Sequence, residues 1–292
     1  MSTISRWLFE PMPLGRVAVF RTIVYLFIPV DVLITTPWVV DHKDTPRSLY
    51  MPLVVGDLLH HPAPTYGLVV TVMTALLICS VLAATGRHPR VLGTAVFLLY
   101  AEWMLIAMSY GKVDHDRFAF LVALAVLPTV GRARYGDRNR SDAAGWALRV
   151  TQIAVVCTYF LASWAKFRFG GLDWLNGATL ARAVLRRGTI FADWTLDVRL
   201  VLIAMQYVIV AFELSSPVVL FVRSDRVRYL IVAGFYLFHL MTFAAITIVF
   251  LPHLVAMLAF LPLERIRPLR FLQRHLPGLA RAPALAGRQS RE

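Results

Sequence analysis

Apolar residues in this chain come in long runs separated by short polar segments. The runs are about 20 residues long, the length of helix needed to cross roughly 30 Å of hydrocarbon. Alternation with a period of two, as in a membrane β-barrel, does not extend over a comparable stretch. The pattern predicts an all-α, polytopic transmembrane helix bundle of about 8 spans (7–9), at residues 17–36, 66–85, 91–109, 118–131, 147–165, 200–222, 229–249 and 251–263.

Composition strengthens the membrane prediction. The 292 residues are 58% hydrophobic, with a mean hydropathy of +0.65. A water-soluble domain of this length cannot enclose that much apolar side chain. We expect residues 1–264 to form one transmembrane domain and residues 265–292 to form a flexible, basic tail rich in Arg and Pro. The first run carries charged residues and lacks a signal-peptide cleavage site, so we expect it to be retained as a span.

The net charge of +13 indicates how the chain is oriented in the membrane more than which partner it binds. If the N-terminus lies inside, most of the Lys and Arg residues fall in inner loops, at 87–90, 132–149 and 223–228, and in the tail. The positive-inside rule then predicts a multi-pass protein of the inner or plasma membrane with both termini in the cytoplasm. We expect the lipid bilayer as its partner. We expect no nucleic acid partner, because no basic patch with interleaved aromatic residues lies outside the apolar runs.

The segment 166–199 departs from this rule, since it holds six basic residues on the predicted outer side. Leu180, Ala183 and Val184 alternate there with Arg182 and Arg186. This amphipathic pattern predicts an interfacial helix near 178–190 on the outer face. A solvated basic loop remains an equal alternative.

Among the ionisable side chains inside the apolar runs, where charge is expensive, four stand out. Arg21 is explained by snorkelling to the inner headgroups, and Asp31 by a position at the outer rim. Glu213 and His239 lie near the middle of the sixth and seventh runs, at matching depths if these spans are antiparallel neighbours. A structural hydrogen bond between Glu213 and His239 and a role in a functional site are equally open.

Three further polar residues lie at predicted span ends. Asp114 and His115 follow the third run in a charged loop. Lys166 ends the fifth run, before an aromatic segment that includes Trp174. A lysine covered by aromatic rings is desolvated and gives up its proton more easily, so it can serve as a base. Metal-binding and nucleophile motifs are not found in the sequence, and we predict no metal site.

Taken in order, these groups resemble one family, the membrane domain of the vitamin K-dependent gamma-glutamyl carboxylases, also called horizontally transferred transmembrane domain proteins. The likeness runs from about Val17 to Leu263. Residues 17–21 (VAVFR) resemble the start of that family's first span, and Asp114-His115 falls where the family has Asn-His. The other similar motifs are 159–162 (YFLA) before Lys166, 173–177 (DWLNG), 213–215 (ELS) and 238–239 (FH).

The resemblance implies a quinone-dependent membrane enzyme. In that family a lysine deprotonates a reduced quinone, which reacts with dioxygen to become a strong base, and carbon dioxide then adds to glutamate. It implies a reduced quinone (vitamin K hydroquinone or menaquinol) as cofactor, with O2 and CO2 as co-substrates. The residues implied as catalytic are Lys166, His115, Asp114 and His239, and those implied as quinone-binding are Tyr159, Trp164, Trp174 and Glu213.

The chain also departs from the family pattern. Ala165 precedes Lys166 where the family has a second lysine, and Asp114 replaces the family's Asn. The sequence ends about thirty residues after the last run, without the large soluble domain of the vertebrate enzymes. We therefore expect this chain to share the family's fold and class of cofactor more than its substrate. A separate partner chain is compatible with the function. Two other hypotheses stay open: a non-catalytic module that binds lipid or a partner, and a small transporter that uses Glu213 and His239 as a proton relay.

Overall fold

The computed structural model of the chain describes residues 2–265, so the predicted tail lies outside it except for Arg265. The described chain is mostly helical. Its α-helices are α1 Thr3–Leu8, α2 Leu14–Val30, α3 Val54–Leu58, α4 Tyr66–Ala84, α5 Pro89–Ala107, α6 Phe118–Val126, α7 Asp142–Gly170, α8 Ala178–Arg187, α9 Arg199–Ser215, α10 Val218–Phe221, α11 Asp225–Ile246 and α12 Leu251–Met257. Two short strands, β1 Met12–Pro13 and β2 Arg140–Ser141, pair in antiparallel fashion.

Six helical segments of the described chain are long and apolar enough to cross a membrane. Their outward faces carry large apolar side chains; in α11, for example, Leu230, Leu237, Leu240 and Phe243 are exposed. Such faces need a hydrocarbon environment or another apolar cover. The six segments are Leu14–Thr35, Tyr66–Ala84, Pro89–Ala107, Asp142–Leu175, Arg199–Phe221 and Asp225–Ile246.

The fourth and eighth predicted spans form shorter helices, α6 and α12, which pack inside the bundle against α7 and against each other. Nine residues of α6 rise only about 14 Å, and the chain continues as a 3-10 turn at Leu127–Val130. Even so, the segment runs along α2 from one end towards the other. Arg117 bonds to Asp31 before α6, whereas Gly131 accepts a hydrogen bond from Arg21 after it.

The N-terminal end of the bundle is marked by the β1–β2 pair and by contacts between chain segments distant in sequence. Gly145 at the start of α7 lies so close to Glu10 that a Cβ there would approach the Glu10 carbonyl oxygen to 2.0 Å. Arg16 forms an ion pair with Glu264, with Nε 2.7 Å from the carboxylate. The N-terminal segment and the chain after α12 are thus held at the same end.

The far end of the bundle contains a buried ionic cluster. Asp31 is fully buried, accepts a hydrogen bond from Tyr100 at 2.7 Å and lies 3.2 Å from Arg117. Arg117 also contacts Asp114 at 3.4 Å and Asp116 at 3.2 Å. Burial lowers the pKa of Arg117, but the carboxylates of Asp31 and Asp116 outweigh it, so the net pKa is raised. Asp31 therefore does not lie at an exposed rim, as expected, but in a buried network that joins α2, α5 and the loop before α6.

Arg21 also differs from its expected role. Its side chain does not reach towards headgroups but is 2% exposed, and it donates hydrogen bonds to the carbonyls of Gly131 at 2.8 Å and Ala133 at 3.1 Å. Snorkelling is unnecessary because these carbonyls solvate the guanidinium. Arg21 therefore fastens α2 to the loop that precedes α7.

An amphipathic helix, α8, lies within the basic segment 166–199. Val184 is its buried residue and packs with Ala192 and Ile246, while the arginines of α8 are exposed. The following turn is tied to the end of α11, since the Thr189 N–H donates to the Ala245 carbonyl at 3.1 Å. A helix is thus present at Ala178–Arg187 within the predicted range, and it rests on the far end of α11.

We expect Arg117→Met to lower the free energy of unfolding by roughly 3–5 kcal/mol, because it leaves buried carboxylates without their cation. Denaturant titration in mixed micelles measures this. Lys112→Met is the matched control, since Lys112 contacts the same Asp114 but its side chain is 61% exposed, and we expect little change. Equal effects of the two substitutions would contradict a buried network centred on Arg117.

Acid should loosen the N-terminal end through Glu264. Burial raises the pKa of Glu264, but the Arg16 guanidinium outweighs it and sets the pKa below the usual 4.5. The ion pair therefore stabilises the fold fully above pH 4.5 and less as the pH falls through the lowered value. Wild type should lose thermal stability over that acid range, and Glu264→Gln should lose less. An identical pH profile for both proteins would argue against the pair.

Candidate functional site

The end of α7 carries a charged pair that faces α9. Lys166 Nζ lies 2.7 and 2.6 Å from the two carboxylate oxygens of Glu213, and Ser163 Oγ donates to the same carboxylate at 2.6 Å. The Glu213 side chain is 7% exposed and that of Lys166 is 20% exposed. Since Tyr159, Ser163 and Lys166 are spaced four and three residues apart, they share one face of α7.

A turn after α7 places an aromatic ring beside the lysine. Gly171 has φ +57°, a conformation that favours glycine, and begins the 3-10 turn Gly171–Leu175. The ring centroid of Trp174 lies 5.3 Å from Lys166 Nζ, within cation–π range. Gln206 in α9 donates to the Trp174 carbonyl at 2.6 Å and fixes the turn. The predicted quinone contact Trp174 is therefore close to Lys166.

Apart from Trp174, the aromatic residues expected to cover Lys166 leave it partly open. Trp164 is 57% exposed and Phe169 is 84% exposed, so both point away from the bundle. Lys166 also has a carboxylate partner, which differs from the apolar pocket expected for an amine base. The arrangement is an ion pair at the bundle surface with one aromatic ring beside it.

A second polar pair lies deeper in the bundle. The hydroxyl of Tyr159 and Nε2 of His239 are 2.6 Å apart, and the Tyr159 oxygen lies 3.5 Å from the sulfur of Met257. The hydrogen bond considered between Glu213 and His239 is not formed, because Glu213 pairs with Lys166 and His239 with Tyr159. Aromatic rings surround the pair, in a group that we call the aromatic cluster: Tyr159, Phe212, Phe235, Phe238, His239, Phe250 and His253.

His253 is a residue of this cluster that sequence reasoning missed. It is 1% exposed, its ring lies 4.9 Å from that of Tyr159 and 5.4 Å from that of His239, and both of its ring nitrogens lack a partner among the described residues. His239 Nδ1 also lacks one. The signal that would have found His253 was its position as an ionisable residue in an apolar run.

The predicted pair Asp114-His115 is divided between two environments. Asp114 contacts Lys112 and Arg117 in the ionic cluster at the far end. His115 is exposed, and its ring lies 6.4 Å from Phe250, which is 5.1 Å from His239. The structure thus places His115 beside the aromatic cluster and Asp114 in a salt-bridge network.

Among residues 2–265, no three or more His, Cys, Asp or Glu side chains are grouped so that they could hold a metal ion. The histidines of the aromatic cluster provide hydrogen-bonding nitrogens and flat faces, while Lys166 and Glu213 provide groups that can exchange a proton. This combination suits an organic ligand with an aromatic ring and ionisable oxygens.

Comparison with protein-family models, curated proteins and solved structures gave no match to this chain.

We expect Lys166→Met to lower the free energy of unfolding by roughly 3 kcal/mol, because Glu213 would be left buried without its cation. Adding Glu213→Leu should recover part of this loss, since the double variant removes both charges. Denaturant titration of the two variants and of each single substitution gives the coupling between them. Independent, additive effects would show that the contact does not contribute to stability.

Proposed function

We propose that this chain is an integral membrane enzyme that acts on a reduced quinone, with Lys166 as the initiating base. The observation that carries the proposal is the meeting of Lys166, Glu213 and Trp174 beside an aromatic cluster whose histidines have ring nitrogens without a partner among residues 2–265. The resemblance to the carboxylase family supplies the chemical class. The reaction itself, oxygenation with or without carboxylation of a further substrate, rests on that resemblance.

Access from the hydrocarbon side supports a lipid-soluble substrate. The Lys166 side chain is partly exposed, whereas its partner Glu213 is buried. The neighbouring Trp164 is also exposed. A quinone arriving from the membrane would therefore meet the amine before the carboxylate. The cavity of about 490 Å³ found in the structure lies elsewhere, around Arg21, and does not contribute to this site.

The Lys166–Glu213 pair has the properties of a proton-transfer unit. In a low dielectric an ion pair loses much of its advantage over the corresponding neutral pair, because both charges are desolvated. A proton that passes from Lys166 to Glu213 leaves a neutral amine, which is able to accept a proton from a quinol hydroxyl. Ser163, bonded to the same carboxylate, holds Glu213 in position for this exchange.

The aromatic cluster provides the surfaces that a quinone ring needs. Phe212 and Phe238 lie stacked at 4.7 Å, and both rings contact Tyr159. Ring nitrogens of His239 and His253 are buried without a partner among the described residues, and a ligand oxygen that entered the cluster would satisfy them. When bound, a reduced quinone would supply the reducing equivalents, with dioxygen as the oxidant and carbon dioxide as the group added. Exclusion of water by the phenylalanines would protect a strong base formed there.

We further propose eight membrane crossings, with both termini on the cytoplasmic side of an inner or plasma membrane. The count of eight is supported by segments 118–130 and 251–264. Each runs from one end of the bundle to the other, even though its helix is short. In this orientation Lys166 and α8 lie towards the outer face, and the arginines of α8 meet outer headgroups or water. A separate partner chain that presents the substrate would also approach this face.

A proton-coupled transporter is the second candidate. Tyr159, Ser163 and Lys166 form a row of proton-bearing groups along α7, next to His239 and His253, and such rows serve as relays in membrane transporters. Because this hypothesis requires no quinone turnover, one set of variants tests both candidates.

The decisive substitution is Lys166→Arg. Arginine keeps the positive charge beside Glu213, but it cannot act as a neutral amine because it is not deprotonated in proteins. We expect quinol-dependent oxygen consumption in nanodiscs to fall at least about 100-fold, the usual contribution of a general base. Menaquinol and vitamin K hydroquinone are the substrates to use.

Lys112→Arg is the matched control, since it makes the same change at an exposed lysine of the far end and should leave the rate unchanged. A wild-type rate for Lys166→Arg would overturn the assignment of the base. Proton flux in liposomes without quinol, lost in Glu213→Gln, would favour the transporter. A folded wild type with neither activity would leave the binding module as the better hypothesis.

A further inference from the structure

A cavity at the N-terminal end of the bundle is independent of the site around Lys166. It has a volume of about 490 Å³, within the range of small-molecule sites. Its walls come from α2, from the loop between α4 and α5, and from the loop that follows residue 131. These two loops lie on the side of the bundle that carries most of the basic residues.

The base of the cavity is formed by Arg21. Its guanidinium is held by the carbonyls of Gly131 and Ala133 and is 2% exposed, so its direction is set by the fold. Gly86, with φ +75°, brings the opposing loop close; a Cβ at this position would lie 3.3 Å from Arg21 Nη2. Two segments far apart in sequence thus converge on one buried cation.

The mouth of the cavity is also basic. Arg87, His88, Arg132 and Arg134 line it and are exposed, and none of the described residues that line it is acidic. Arginines gathered around a concave surface repel one another unless an anion lies between them. Guanidinium groups are the side chains best suited to bind phosphate through paired hydrogen bonds.

An apolar cleft adjoins the basic cavity. It measures about 440 Å³ and shares Thr85, Arg87 and His88 with the cavity before continuing over Leu82 and Val91. Val91 is 71% exposed at the first turn of α5. A cation-lined space that opens directly into an apolar cleft has the layout of a phospholipid, a charged headgroup joined to a hydrocarbon chain.

We propose that the cavity binds the phosphate of an anionic phospholipid headgroup on the inner leaflet, with an acyl chain along Leu82, Val91 and Leu92. The buried Arg21 distinguishes this site from the general excess of basic residues at an inner membrane face. The positive-inside rule accounts for basic residues near the membrane surface, but it does not account for a cavity with a buried cation at its base.

The test is equilibrium binding of fluorescent phosphatidylglycerol to the full-length protein in neutral detergent, with unlabelled competitors. Phosphatidylglycerol should displace the probe at much lower concentration than phosphatidylcholine. Glycerol phosphate and inorganic phosphate, at matched ionic strength, should compete weakly because they lack the chain. Equal displacement by inorganic phosphate and by phosphatidylglycerol would overturn the lipid assignment and leave a site for a free anion.

Two matched double variants separate the cavity from general charge. Arg132→Gln with Arg134→Gln removes two cations from the mouth, and we expect affinity to fall about tenfold or more. Arg223→Gln with Arg226→Gln removes two exposed cations from the same end outside the cavity lining, and should change affinity less than about twofold. Equal losses in both variants would mean that the lipid senses only the surface charge.

The cleft is tested by Val91→Gln, which places a polar group in the proposed path of the chain. Binding of phosphatidylglycerol should weaken, while competition by glycerol phosphate should stay as in wild type. Unchanged lipid affinity in this variant would contradict the acyl-chain assignment. Because none of these positions lies near Lys166, quinol turnover should be the same in all variants, which keeps this proposal separate from the proposed function.

Discussion

The cost of an isolated charge in hydrocarbon is the constraint on which this structure depends. The described bundle compensates its buried charges in different ways at different places. Asp31 is joined to Arg117, Lys166 is joined to Glu213, and Arg21 is surrounded by backbone carbonyls. Each solution requires a particular helix face to point at a particular neighbour. The buried charges therefore fix helix rotations that apolar packing alone would leave nearly equivalent, since lipid and leucine offer similar surroundings.

Helix α7 links these solutions to the candidate site. It spans Asp142–Gly170, about 44 Å at 1.5 Å per residue, which is longer than the hydrocarbon core. Its first turns pack tightly on the N-terminal segment through Gly145. A helix of this length leaves its last turn beyond a hydrocarbon core of about 30 Å if its first turns lie at the opposite surface. A partly exposed lysine is tolerable there, whereas the Tyr159–His239 pair, two turns earlier, lies among aromatic rings.

The sequence was sufficient to predict a helical bundle and the positions of its long apolar helices, because length and hydropathy depend on composition over about 20 residues. It also pointed to Lys166, Glu213 and His239, because ionisable groups are conspicuous in apolar runs. It did not predict their pairing. Depth alone suggested Glu213 beside His239, but pairing depends on tilt and rotation, and these place Glu213 on Lys166 and His239 on Tyr159.

Other differences have the same origin. The distances of Asp31 and Arg21 from the span ends favour a rim position for Asp31 and snorkelling for Arg21. The structure instead supplies partners from the loops before and after α6, residues more than eighty positions away. Such long-range partners leave no local signal. His253 is a different case, because it follows the last of the family-like motifs and lies in a short run, where neither motif nor depth points to it.

The two ends of the bundle hold cations in opposite electrostatic settings, and this contrast separates their proposed roles. At the far end Arg117 and Lys166 have carboxylate partners within the chain, so their charge is already balanced. Which ligand binds at this end therefore depends more on proton exchange and ring stacking than on the ligand's net charge. At the N-terminal end the cavity around Arg21 is lined by cations, and none of its described lining residues carries a carboxylate. Charge balance there calls for an anion from outside the protein, and the adjoining apolar cleft favours one that carries a hydrocarbon chain.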